Sequence, residues 1–101
     1  IEFLSITVEL IGDTAIILDD IISTGGTIIE SAEVLKKKDV KKIIVCAIHP
    51  VFAHKAIQNI EKSPIDKMYV TDSVSQKDLK SKKIEIVSIS DLIANCLLQE
   101  L

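Results

Sequence analysis

Apolar and polar positions alternate at the start of the chain, where Leu4, Ile6, Val8 and Leu10 are separated by Ser5, Thr7 and Glu9. A period of two predicts a half-buried strand. Gly12-Asp13 is a turn signal, and the T-A-I-I-L run at 14–18 is short, apolar and β-branched, as a fully buried strand requires. Residues 19–25 break the apolar pattern and read as a loop. The period then lengthens. Ile28, Ile29, Ala32 and Leu35 form one face of a helix over about 26–38, and Lys36, Lys37 and Lys38 crowd the end where its dipole favours cations.

The same grammar continues downstream. Residues 43–48 predict a second buried strand, 51–61 a helix that stops before Ser63-Pro64, and 66–70 a short strand. Residues 73–83 are polar and lysine-rich, a surface loop, and 84–88 predict one more strand. Ser90 is placed to cap a last helix with Ile93, Leu97, Leu98 and Leu101 on one face. Strands alternating with helices imply right-handed crossovers and a mostly parallel sheet in an α/β fold. No repeat or linker divides the chain, so 1–101 is expected to be a single domain.

Composition narrows the function classes. At 101 residues the chain supports one modest core. A net charge of −3 gives no global basic field for nucleic acid. No apolar run is long enough to span a membrane and no secretory leader is visible, which points to a soluble cytoplasmic protein. Cys46 and Cys96 are far apart with no companions at metal-binding spacing, and both are expected to be buried free thiols.

The chemistry lies at 19–27. In open α/β sheets, ligands bind at the carboxyl ends of the strands, and Asp19-Asp20 follow a buried strand there. Alone, two carboxylates could cap a helix or face solvent. Ser23-Thr24-Gly25-Gly26-Thr27 adds consecutive backbone N–H groups at a helix N-terminus, glycines that accept positive φ and close approach, and three hydroxyls. A phosphate monoester suits such a cup. The carboxylates would repel that phosphate, so they need a neighbouring diol or magnesium ion. A ribose 5-phosphate carries both phosphate and diol. A Walker-type loop is excluded because no G-K-[ST] follows, and G-x-G-x-x-G is absent.

The run at 16–27, I-I-L-D-D-I-I-S-T-G-G-T, resembles the phosphoribosyl diphosphate motif of type I phosphoribosyltransferases and their relatives. V-C-A-I-H-P-V-F at 45–52, S-P-I-D at 63–66, Y-V-T-D-S-V at 69–74 and I-V-S-I-S at 86–90 look like successive landmarks of the ribose-phosphate diphosphokinases, over their C-terminal third. The resemblance implies a three-layer α/β/α, phosphoribosyltransferase-like fold, incomplete here. It implies that Asp19 and Asp20 hold ribose hydroxyls, directly or through Mg2+, and that Ser23, Thr24, Gly25, Gly26 and Thr27 cradle the 5-phosphate. In that family the ribose 1-hydroxyl attacks the β-phosphorus of ATP and receives diphosphate. Members of that family are about three times longer, and the N-terminal domain that helps bind ATP is expected to be absent here; the basic segment that precedes their motif strand has no counterpart either, since 1–13 contains no Lys or Arg. ATP is therefore expected only in the complete enzyme, with this chain inactive alone.

Three other features are weighed beside the loop. His49 stands at a strand's carboxyl end, His54 early in a helix, and Thr71-Asp72 at another carboxyl end; each could contact the site or serve only the backbone. An incomplete sheet leaves an edge and apolar surface exposed, so a homo-oligomer is expected, a symmetric dimer over the 4–10 strand or the open edge. A type I phosphoribosyltransferase acting on a nucleobase and a non-catalytic phosphoribosyl-binding module are the alternatives.

Overall fold

The computed structural model describes residues 6–53, 55–72, 81–88 and 98–99. The Gly12-Asp13 turn joins β1 (Thr7–Ile11) to β2 (Thr14–Ile22) as an antiparallel hairpin with Ile11 opposite Thr14. Gly12 has φ +60°, the backbone shape that makes glycine the natural residue at this tight turn. The chain continues through α1 (Gly26–Lys37), β3 (Lys42–Pro50), α2 (Ala56–Lys62), β4 (Lys67–Thr71) and β5 (Ile84–Val87). The five strands lie in the order β1-β2-β3-β4-β5, and β2 to β5 are mutually parallel. This is the expected α/β architecture with a mostly parallel sheet.

The core sits on one face of that sheet. Alternate residues of β2 (Ala15, Ile17), β3 (Ile43, Val45, Ala47) and β4 (Met68, Val70) are buried and meet Ile28 and Ala32 of α1 and Ile60 of α2. Each fully buried Ile contributes about 1.5–3 kcal/mol relative to an exposed one. The strand order advances in one direction from β2 to β4, so right-handed crossovers put both helices on the same face. Ile29 and Leu35 pack against the core from α1, as their spacing predicts.

On the opposite face, Leu18 and Ile48 are 41% and 48% exposed. Among the described residues the layers are thus one helical layer and the sheet. A second helical layer would have to come from outside those residues. The expected closing helix, with its Ser90 cap, falls outside them except for 98–99, as do His54 and Cys96.

Several boundaries move. Both β2 and β3 run further than expected, to Ile22 and Pro50. Both end in the same burial pattern, buried–exposed–exposed–buried, because Asp19 pairs with Ala47 and Ile22 with Pro50. The two strands thus turn together at their carboxyl ends. The helix expected from Val51 begins at Ala56, since 51–53 are bonded to the end of β2 instead. All five residues of β1 are exposed, not half-buried, with Leu10 at 61% and Ile11 at 66%. As an edge strand, β1 gains hydrogen bonds from β2, but no helix covers its faces among the described residues.

The end of α1 is closed by backbone alone. Asp39 takes φ +66°, its N–H donates to the Lys36 carbonyl, and the Val40 N–H donates to the Leu35 carbonyl. That Schellman pattern, with Leu35 and Val40 both packed against the core, terminates the helix and fixes the approach to β3.

Candidate functional site

Asp19 and Asp20 lie on β2 itself, not in a loop. Asp19 is buried at 9% exposure, and its Oδ1 has no hydrogen-bond partner among the described residues. Asp20 is exposed. Both residues border a cavity of about 470 Å³ lined also by Leu18, Cys46, Tyr69 and Thr71; Asp20 is in step with Leu18 on the open face, whereas Asp19 is in step with buried Ala15 and Ile17 at the edge of the core. A buried carboxylate oxygen without a donor is costly. A hydroxyl donor or a hard cation would remove that cost.

Two strands beyond β2, Thr71 helps shape the same cavity. It is buried, and its hydroxyl donates to the Ile48 carbonyl, extending the contact between β3 and β4 past the last ladder pair, Ala47 with Val70. Cys46 is only partly buried, contrary to the expectation of a core thiol, because its side chain is on the open face. The burial it does have pushes its thiol pKa up, away from a reactive thiolate.

The residues from Ser23 to Thr27 form the entry to α1. Gly25 is the N-cap, buried, with φ +81°. A side chain there would be strained, which accounts for this glycine. Gly26, also expected to use positive φ, is instead the first helical residue, and its N–H donates to Thr24 Oγ1 at 3.3 Å. The first turn of α1 has no acidic residue and no side-chain cap on Gly25. Ser23, Thr24, Gly26 and Thr27 are all exposed. The N–H groups of a first helical turn, the positive end of the dipole and three hydroxyls together make an anion-accepting terminus. These five residues do not line the cavity beside Asp19; they stand past the end of the same strand.

Sequence reasoning missed how this loop is anchored. The N–H groups of Val51 and Phe52 donate to the Ile22 carbonyl at 2.9 and 3.0 Å, and that of Ala53 to the Ser23 carbonyl at 2.8 Å. Phe52 takes φ +50°, a left-handed conformation uncommon for an aromatic residue, and packs against the core. No residue pattern marks such a turn in advance. His49 and Asp72 are exposed at the carboxyl ends of β3 and β4. No group of three or more His, Cys, Asp or Glu able to hold a metal occurs among the described residues. No described helix is long and apolar enough to cross a membrane.

A parallel sheet with an acidic pair at a strand's carboxyl end, followed by a glycine-opened helix, defines the class as an α/β protein with an anion-accepting helix terminus beside two carboxylates. The model of the phosphoribosyl synthetase-associated domain matches residues 3–99, and the chain belongs to that family. Among curated proteins it is similar to ribose-phosphate pyrophosphokinase of Aquifex aeolicus, 38% identical over 96 residues, covering 95% of this chain and 31% of that protein. The Thermotoga maritima protein of the same name is 37% identical over 98 residues, covering 97% and 31%. Among solved structures, phosphoribosylpyrophosphate synthetase from Mycobacterium smegmatis superposes with a TM-score of 0.74 at 30% identity, covering 87% of this chain and 31% of that one. The chain thus spans about a third of the length of these relatives.

Proposed function

We propose that this chain is the ribose 5-phosphate-binding, or phosphoribosyl diphosphate-binding, part of a ribose-phosphate diphosphokinase, an enzyme that transfers diphosphate from ATP to ribose 5-phosphate. The observation that carries the reading is the orphaned Oδ1 of buried Asp19, a few residues upstream of a helix N-terminus with no acid in its first turn. The carboxylate lacks a donor and the helix end favours an anion; a sugar phosphate offers both.

In this reading the N–H groups at the start of α1 and the hydroxyls of Ser23, Thr24 and Thr27 bind the 5-phosphate. Asp19 and Asp20 orient the ribose hydroxyls, directly or around Mg2+. Two carboxylates, with substrate oxygens and water completing the shell, suit magnesium, which seldom takes an all-protein cage. When bound, the ion would neutralise phosphate charge. The chain's own contribution is positioning: it holds the ribose so that its 1-hydroxyl faces the ATP carried by the rest of the enzyme. Alone, the chain is expected to bind the sugar phosphate without transferring diphosphate.

Calorimetric titration with ribose 5-phosphate and magnesium, beside the Asp19→Asn/Asp20→Asn variant, tests the reading. Binding that weakens in the variant supports it. No heat at millimolar ligand from a folded chain sinks it.

A further inference from the structure

The residues assigned to the phosphate carry no positive charge, and the chain contains no arginine. A cationic side chain contributed by the described residues would be a lysine, and among those residues the fold distributes its lysines unevenly. Of the ten at described positions, nine close a helix or lead into a parallel strand, as Lys36–Lys38 end α1, Lys62 ends α2 and Lys82–Lys83 precede β5. Those nine stand at the amino-terminal edge of the parallel strands, opposite the carboxyl edge that bears Asp19 and the loop.

Lys55 is the tenth. It is exposed and is the N-cap of α2, with no side-chain capping bond. A lysine is a poor choice there by local rules. The N-terminus is the positive end of a helix, and Ser, Thr, Asp or Asn would satisfy its N–H groups. A local rule broken without local gain points to a use elsewhere.

One backbone bond ties the segment before Lys55 to the phosphate loop, and a side chain further along α2 packs beside Gly25. Two residues before it, the Ala53 N–H donates to the Ser23 carbonyl at 2.8 Å. Five residues after it, Ile60 Cδ1 lies 3.6 Å from where a Gly25 β-carbon would be. The Ala53–Ser23 bond therefore holds the entry to α2 beside the entry to α1, while Ile60, in the later part of α2, packs against Gly25.

We propose that Lys55 is the cation that neutralises the 5-phosphate held by Ser23–Thr27, and so sets the preference for phosphorylated over free ribose. This rests on the reading of that loop given above. A flexible ammonium stem suits a phosphate that needs charge but no planar fork.

Calorimetry on the full chain, with Lys55→Ser and Lys55→Arg variants and both ribose 5-phosphate and ribose as ligands, tests it. Lys55→Ser is expected to bind ribose 5-phosphate about tenfold more weakly, with no fall in melting temperature and no change in the weak affinity for ribose. Lys55→Arg is expected to stay near wild type. Unchanged ribose 5-phosphate affinity in Lys55→Ser overturns the proposal, as does an equal loss for ribose, which would mean that Lys55 acts on the fold. A wild-type chain that fails to bind ribose 5-phosphate removes the reading of the loop, and this inference with it.

Discussion

Gly25 and Ile60 are in contact range across the two helices: a β-carbon built on Gly25 would lie 3.6 Å from Ile60 Cδ1, and Gly25 holds φ +81°. The spacing is ordinary van der Waals contact, so room is not the constraint; the backbone conformation is. Gly25→Ala is expected to cost about 1 kcal/mol through left-handed strain, lowering the melting temperature by roughly 4–8 °C. It should also weaken ribose 5-phosphate binding, because relaxing that φ turns the first N–H groups of α1. Thermal melts and titration of the same sample check both.

Asp66 fixes the start of the central strand. Its Oδ2 accepts the Ile43 N–H at 2.7 Å while its own N–H donates to the Ile43 carbonyl at 2.9 Å. Ile43 is fully buried. Asp66→Ala leaves that N–H without its acceptor and is expected to cost about 1–3 kcal/mol in denaturant unfolding. Asp66→Asn, which keeps a carbonyl oxygen, should cost less.

A pH dependence follows from Glu61. The Ser81 hydroxyl donates to its carboxylate, the Lys82 N–H donates at 3.0 Å, and these donors with nearby Lys83 hold its pKa below the usual glutamate range. A lowered carboxyl pKa stabilises the fold above the ordinary glutamate value, and that contribution disappears as pH falls through the lowered one. Acid unfolding of Glu61→Gln should therefore show a shallower loss of stability across that window than wild type.

The exposed β1 edge predicts association. Leu10 and Ile11 are 61% and 66% exposed on a strand with one paired side. If a symmetric dimer forms there, Leu10→Lys should shift sedimentation toward the monomer without altering the melt of the dilute protein.

Much of the scaffold was legible in the chain. The switch from alternating to helical spacing at Ile28-Ile29 and the β-branched runs at 14–18 and 43–48 reported core contacts that do exist. What was not legible depends on distant partners. Asp19 and Asp20 read as loop because charge usually ends a strand, yet pairing with β3 carries the strand on to Ile22. Val51 to Ala53 looked helical because they adjoin an apolar stretch, but their N–H groups are taken by the end of β2. That misplacement hid Lys55, which reads as mid-helix if the helix begins at Val51 and becomes an N-cap when it begins at Ala56. The half-buried reading of β1 failed because alternation records a potential core face, not whether anything covers it.

The most direct test of the central claim is a backbone-amide NMR titration of the chain with ribose 5-phosphate and magnesium. The account predicts saturable shifts concentrated at residues 19–27, largest at Gly26 and Thr27, and absent with ribose alone at Thr27. Shifts confined to the lysine-bearing amino edge, or no shifts at millimolar ligand in a folded sample, would contradict it.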